Sequence, residues 1–137
     1  MAGSDLNRIL GETVITEADY ASGRLFEDAV AYAFYPVDLH RGTGFEKLYH
    51  LKQGVVATIP LRALIPKDSC NIIVAGRCVS SDRPANGGLR VQAPCMAMGQ
   101  AAGATAALAV EKGTTPLNVP LAEIHKLLRK HDAIVPA

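Results

Sequence analysis

The residues of this 137-residue chain that are most suited to chemistry lie between Asn71 and Ala109. A continuous apolar run at 71–76 ends in Gly76 and predicts a strand buried on both faces. Arg77 then begins a polar loop, and open α/β sheets bind ligands at the carboxyl ends of their strands. An arginine in that place suits a phosphate or a carboxylate, although an ordinary surface charge is the more common role of a loop arginine.

A helix rich in alanine and glycine is predicted to begin at Pro94, because proline lacks the N–H group that the first helical position leaves unbonded. Ala93 has no side chain that caps a helix. The amides near Cys95 and Met96 are therefore expected to be open to an anionic or electron-rich ligand atom. The Cys95 thiol has either a lowered pKa at this helix start or the more usual role of an inert packed thiol.

One face of the same helix combines small residues at four-residue spacing with larger apolar side chains. Its members are Met96, Gly99, Gly103, Ala106 and Val110. Small side chains let a flat group or another backbone approach closely, although a helix packed on a sheet produces the same pattern. The stretch 93–110 carries no charge, but alanine and glycine gain little on leaving water, so we predict a buried helix rather than a membrane span.

Other polar residues support fewer conclusions. Asp38 and His40 alternate along a predicted strand and share a face, where a functional pair and a solvent-facing pair both fit the pattern. Arg90 lies at the end of the polar loop, and His125 and His131 are predicted to be solvated surface residues. The sequence contains no P-loop, nucleophile elbow, zinc-protease helix or G-x-G-x-x-G fingerprint, and no metal site is expected.

Local patterns predict helices mixed with short strands around these residues, an α+β fold. Thr16 and Asp19 have an acidic variant of the capping-box spacing, which predicts a helix that ends near Gly23. Further helices are predicted at 25–33, from 94 onward and at 121–130, the last with Leu121, Ile124 and Leu128 as its buried stripe. Strands are predicted at 8–15, 35–40, 55–59 and 71–76, a turn or short helix at 60–64, and a polar loop at 78–92.

Composition excludes several classes of function. The net charge is +1 and hydrophobic residues make up 49%, which argues against nucleic-acid binding, a polybasic membrane anchor and disorder. Aromatic residues make up 5%, against 21 alanines and 12 glycines. We therefore expect a surface shaped to fit a component absent from this chain, rather than a self-sufficient core. Three cysteines without a C-x-x-C pair, and an N-terminus without a signal-peptide pattern, favour a reducing, cytoplasmic location.

Several segments together resemble the C-terminal part of FAD-dependent oxidoreductases, two-domain flavoproteins of the glutathione-reductase type. The more specific segments are 71–80 (NIIVAGRCVS), 88–90 (GLR) and 94–103 (PCMAMGQAAG). Segments 28–31, 35–40 and 59–64 fit the same family in the same order. The similarity covers about residues 6 to 134, nearly the whole chain.

The resemblance implies which residues meet FAD. The strand ending at Gly76 would lie beside the ribityl chain and the flavin, and 96–101 would present a helix N-terminus to the flavin pyrimidine edge, where negative charge collects on reduction. The implied cofactor-binding residues are Gly76, Arg77, Arg90, Cys95, Met96, Gly99, Gln100 and Ala101, and the implied substrate-orienting residues are His40 and Arg62. The wider superfamily commonly has Gly-Asp where this chain has Gly76-Arg77, and no catalytic acid or base is predicted.

The Rossmann unit with which such flavoproteins begin, and which binds the ADP half of FAD, has no counterpart in this sequence. We therefore expect part of a substrate domain at 6–66 and the closing part of the FAD domain at 67–137. The chain alone is expected to be inactive and not to retain FAD. Its expected partners are the missing FAD-binding half, a small-molecule substrate, and a second copy in a homodimer or swapped oligomer. The alternative is a non-catalytic interaction module that uses the small-residue helix face.

Overall fold

The computed structural model describes residues 7–39 and 47–137, and His40 lies outside these ranges. The helices are α1 (Glu17–Ser22), α2 (Arg83–Leu89), α3 (Gln92–Lys112) and α4 (Leu121–Lys130), with 3₁₀ turns at Leu61–Ala63 and Pro116–Asn118. The strands are β1 (Ala29–Ala33), β2 (Val37–Leu39), β3 (Lys47–Tyr49) and β4 (Ala57–Pro60). This mixture of helices and short strands confirms the predicted α+β class.

Helix α1 has the limits that its sequence predicts. The Thr16 hydroxyl accepts a hydrogen bond from the Asp19 N–H at 3.2 Å, and the Asp19 carboxylate accepts one from the Thr16 N–H at 3.0 Å. This reciprocal pair satisfies amides at the helix start that have no partner inside the helix. Gly23 ends the helix in the left-handed conformation, with φ of 67°.

Two small antiparallel sheets lie against the helices. β1 pairs with β4 and β2 pairs with β3, while α3 packs on β1 and on α4. The predicted helix at 25–33 is wrong, because 29–33 is β1. Ala29, Val30, Ala31 and Ala33 are buried on both faces of this strand, so their apolar spacing does not distinguish a short helix from a buried strand.

The segment predicted as a strand at 8–15 is held by isolated bridges rather than by a ladder. Gly11 bridges Pro66 in the antiparallel sense, and Ile15 bridges Ser81 in the parallel sense. Ile15 is fully buried. The segment therefore ties the chain around Pro66 to the chain around Ser81 without completing a sheet.

The predicted polar loop at 78–92 is wrong over its centre, where α2 forms. Glycine inside a helix costs about 1 kcal/mol relative to alanine, so Gly87 and Gly88 favour a loop locally. In the structure, a Cβ at Gly87 would lie 2.6 Å from the Asp38 carbonyl oxygen, and one at Gly88 would clash with the Tyr20 ring. Both positions require glycine for close packing, which outweighs the local preference.

The predicted buried strand at 71–76 is also wrong, because this segment lies at the surface without strand pairing. Ile72 is 52% exposed, whereas Ile73 packs against the core. A strand buried on both faces needs a neighbour on each side. Among the described residues, the Val74 N–H donates to the Leu64 carbonyl at 2.8 Å, and the Gly76 carbonyl accepts the Val79 N–H at 3.1 Å.

Helix α3 contributes one face to the core. Met98, Ala101, Thr105 and Ala109 are buried, yet only 33% of its most apolar stretch is buried, so the prediction of a buried helix holds for one side. By length and composition α3 could cross a membrane, a test that core helices of soluble proteins also pass.

Helix α4 has the predicted bounds, with Ile124 and Leu128 buried. His125 is not a solvated surface residue, because its Nε2 lies 2.7 Å from the Ala29 carbonyl oxygen. This bond fixes Nε2–H as the donor and ties α4 to the first residue of β1. His131 is exposed, as predicted.

Candidate functional site

The candidate site starts at the turn that contains Gly76. This glycine has φ of 95°, in the left-handed region that disfavours a side chain. Apart from its two chain neighbours, no described residue has an atom within 4 Å of the place where its Cβ would be. The Val79 N–H donates to the Gly76 carbonyl at 3.1 Å and closes the turn. The turn at Gly76 is thus closed by a hydrogen bond, and the space beside its main chain is empty among the described residues.

Asn86 holds this turn against α2. Its side chain is almost fully buried, and Nδ2 donates to the Arg77 carbonyl at 3.1 Å and to the Ser81 hydroxyl at 3.3 Å. A buried amide needs such partners, so the turn and the helix stabilise each other. The sequence reasoning missed Asn86, because a helix had to be predicted at 83–89 before this residue could be placed facing the turn.

The turn also brings Arg77 near Cys95 on α3. Burial raises the pKa of the Cys95 thiol, and the Arg77 charge lowers it by a smaller amount. The Cys95 Sγ lies 3.7 Å from the Leu89 carbonyl oxygen. A thiol with a raised pKa forms little of the nucleophilic thiolate at neutral pH. The structure therefore favours an inert packed thiol.

Helix α3 begins at Gln92, two residues before the predicted start. Val91 caps it without a side-chain hydrogen bond, and the Cys95 N–H donates to the Val91 carbonyl at 3.2 Å. The expectation of an open amide at Cys95 is therefore wrong. Within the described part of the chain, the amides of Gln92 and Ala93 are the ones without a hydrogen-bond partner at this helix start.

The small-residue face of α3 points away from the sheet. Met96 is 75% exposed and Val110 is 83% exposed. A Cβ on Gly99 or Gly103 would meet nothing within 4 Å in the described parts of the chain. These glycines line a cleft of about 290 Å³ between α3 and α4. Packing on a sheet explains the opposite face of α3, so this face is free to receive a ligand or a partner.

Gln100 and Ala101 differ in what they offer to a ligand. Gln100 is exposed, and its Nε2 donates to the His131 carbonyl at 3.3 Å. Ala101 is fully buried, so its side chain belongs to the core. Gln100 can therefore contact a ligand directly, whereas the Ala101 side chain cannot.

Arg90 and Arg62 each form an ion pair. Arg90 Nη2 lies 3.5 Å from Asp38 Oδ2 and links the end of α2 to β2. Arg62 Nε lies 3.1 Å from Asp28 Oδ2, beside the start of β1. The structure thus places Arg62 with Asp28 and not in contact with the turn at Gly76 within the described residues.

An open apolar groove, which the sequence did not predict, lies between the end of β1 and the first turns of α3. It has a volume of about 660 Å³, and its walls include Phe34, Tyr35, Pro94, Met96 and Ile134, called here the Phe34 groove. Phe34 is 70% exposed. The groove reaches Met96, so it adjoins the exposed face of α3.

Comparison with protein families matches the sequence to a known group. The family model described as FAD dependent oxidoreductase matches residues 6–128. Comparisons with curated proteins and with solved structures give no match. The matched region contains the turn at Gly76, Asn86 and the whole of α3. The chain therefore belongs to the FAD dependent oxidoreductase family.

Proposed function

We propose that this chain supplies one side of the flavin site of an FAD-dependent oxidoreductase. Bound FAD would accept a hydride from a small-molecule substrate. The observation that carries the proposal is the open main chain of Gly76, held by Asn86 near the first turns of α3. A main chain without a Cβ admits a planar ring, and the unbonded amides of Gln92 and Ala93 favour negative charge beside it.

The residues present fit the ring of the cofactor better than its nucleotide end. The sequence has no glycine-rich fingerprint for a pyrophosphate, so we infer that a preceding FAD-binding half of a longer flavoprotein holds the ADP moiety. In this proposal 6–66 belongs to the substrate domain and 67–137 closes the FAD domain. An upstream reading frame with that fingerprint would support the inference, and the isolated chain would turn nothing over.

The charged residues have separate proposed roles. Arg77 is exposed beside the turn and suits an anionic group of the cofactor or the substrate. Arg90 is oriented by Asp38, and we assign it a positioning role. Arg62 and His40 remain the proposed substrate-orienting residues, with Arg62 held by Asp28.

A substitution on the open helix face tests the flavin site. In the longer flavoprotein, Gly99→Leu is expected to abolish flavin retention, because the new side chain would occupy the space where the ring approaches. The structure gives no reason for misfolding, since the position is open among the described residues. Flavin content is measured from the visible absorbance of the purified protein.

Gly103→Leu is the matched control, since this glycine is equally open and lies one turn farther from the start of α3. It is expected to keep the flavin. Unchanged flavin content in Gly99→Leu would exclude this site, and a stoichiometric yellow flavin on the isolated chain would contradict the need for a second half.

The exposure of Met96 and Val110 favours a second candidate, a non-catalytic interaction module that binds a partner through the α3 face. In that case Gly99→Leu and Gly103→Leu would weaken partner binding to a similar extent. Neither substitution would change the flavin content, because the module would bind no flavin. The pair of variants therefore distinguishes the two functions.

A further inference from the structure

The Phe34 groove combines aromatic walls with one negative charge. Tyr32, Phe34 and Tyr35 line it at and just after the end of β1, and Met96 lines it from α3. Among the described residues that line the groove, Asp132 is the one with a charged side chain. The faces of aromatic rings carry partial negative charge, so the rings and the carboxylate both attract a cation.

Asp132 stands where the local structure favours a different residue. It follows the end of α4 with φ of 57°, in the left-handed region that favours glycine. Its N–H donates to the Arg129 carbonyl at 3.1 Å, and the Ala133 N–H donates to the Leu128 carbonyl at 3.1 Å, a pattern that usually ends a helix at glycine. Negative charge is also unfavourable at a helix C-terminus. The termination of α4 therefore does not explain the carboxylate, whereas binding of a cation would.

The Asp132 carboxylate is open to a ligand at a defined place along α3. It is exposed and has no ion pair or hydrogen bond within the described parts of the chain. Gln100, which also lines the groove, donates from Nε2 to the carbonyl of the preceding residue, His131, at 3.3 Å. Gln100 lies two helical turns beyond Ala93, so the negative end of the groove is about 10 Å along α3 from the open amides at the helix start.

We propose that the Phe34 groove binds an organic ammonium ion with an apolar body. The ammonium group pairs with Asp132 and contacts the aromatic walls, and the apolar body extends along the groove toward Met96. A neutral ligand would cover the carboxylate without giving it a partner, and an anion would be repelled by it. The groove volume of about 660 Å³ is in the range of small-molecule sites.

The apolar body ends beside the proposed flavin site. Met96 and Gln100 line the groove and are also implied cofactor-binding residues, whereas Gly76 and Gly99 do not line it. The groove therefore adjoins the flavin site and leaves both glycines open. Identifying the ammonium ion as the substrate rests on the proposed function, but its binding does not, so binding can be measured on the isolated chain.

Isothermal titration calorimetry of the full 137-residue chain tests this inference. Three unbranched probes share a phenyl ring and a short alkyl chain and differ in charge: phenylbutylammonium, phenylbutanol and phenylbutyrate. The cation is expected to bind about tenfold more tightly than the alcohol, because an ion pair and a cation–π contact both contribute. The anion is expected to bind more weakly than the alcohol.

Asp132→Asn removes the charge and keeps the backbone conformation, because asparagine tolerates the left-handed region. It is expected to weaken the binding of phenylbutylammonium about fivefold and to leave the binding of phenylbutanol unchanged. Asp68→Asn is the matched control. Asp68 is exposed, has φ of 60° and does not line the groove, so this variant loses the same charge and is expected to bind all three probes like the wild type.

Amide chemical shifts locate the bound probe. Phenylbutylammonium is expected to shift the amide resonances of Phe34, Gln100 and Ala133 in the wild type. Equal affinity for the cation and the alcohol would overturn the inference, as would no binding of the cation, shifts confined to other residues, or an equal loss in Asp132→Asn and Asp68→Asn. The flavin content of Gly99→Leu is a separate measurement, so the failure of either proposal is distinguishable from the failure of the other.

Discussion

At the scale of single residues, Asp19 shows how one carboxylate stabilises a helix start. It accepts hydrogen bonds from the Thr16 hydroxyl at 2.7 Å, the Thr16 N–H at 3.0 Å and Arg24 Nη1 at 2.9 Å. Burial by itself would raise the pKa of Asp19. The Arg24 and Thr16 hydrogen bonds, with the Arg24 charge, outweigh burial and hold the pKa below its ordinary value.

This lowered pKa predicts a dependence of stability on pH. The unfolded carboxyl titrates at about pH 4, and the folded carboxyl titrates lower. The stabilisation is therefore complete above that pH and is lost as the pH falls through the folded pKa. Asp19→Asn should cost about 1 kcal/mol at neutral pH and should flatten the decline in stability below about pH 4, as measured by urea unfolding.

Glu27→Gln is the control for this pH profile, because Glu27 is exposed and has no hydrogen bond or ion pair within the described residues. It should reproduce the wild-type curve. If Asp19→Asn lost stability on acidification as steeply as the wild type, the assigned role of Asp19 would be wrong.

At the scale of elements, Asp82 joins the starts of two helices. Its Oδ1 accepts the Ala85 N–H of α2 at 2.8 Å, and its Oδ2 accepts the Glu17 N–H of α1 at 2.7 Å. Negative charge is favourable at both helix N-termini. One side chain thus sets the position of α1 relative to α2, and α2 in turn carries Asn86 to the turn at Gly76.

Asp82→Ala is expected to lower the free energy of unfolding by about 2 kcal/mol or more, because it removes two charge-assisted caps. Urea unfolding measures the loss, and faster hydrogen exchange of the Glu17 and Ala85 amides would show that both helix starts are affected. Glu27→Ala removes an exposed carboxylate and should change stability little. A loss confined to one helix would contradict the shared cap.

The helices also show which local sequence patterns are sufficient to predict an element. The limits of α1 and α4 follow from the capping residues and from an apolar stripe, so they could be predicted. α2 could not, because Gly87 and Gly88 are selected by contacts with Asp38 and Tyr20 that are distant in sequence. For the same reason Asn86, which holds the candidate site, had no signal of its own.

At the scale of the whole molecule, one core draws on both predicted segments. Tyr20, Ile59 and Leu64 from 6–66 lie in the same buried cluster as Met98 and Ile124 from 67–137. The two-domain division remains a prediction, which belongs to the proposal that this chain is part of a longer flavoprotein. In this chain the shared core gives a physical reason for both segments to unfold together.

Two spectroscopic probes test this cooperativity. All four tyrosines lie between Tyr20 and Tyr49, and the chain has no tryptophan, so near-ultraviolet circular dichroism reports on the first segment. Far-ultraviolet circular dichroism is dominated by α2, α3 and α4 in the second segment. The two urea transitions are expected to coincide. Separate midpoints would show that the segments are independent folding units.

The sequence by itself determined the capped start of α1, the amphipathic α4 and the family of the chain. These features depend on residues close together in the chain or on motifs that are read directly. Tertiary structure alone decided that 29–33 is a strand, that 83–89 is a helix, and that the Cys95 thiol is partly buried against the core. It also left 71–76 at the surface, because burial depends on the neighbours that a segment finds in space, and local composition does not record them.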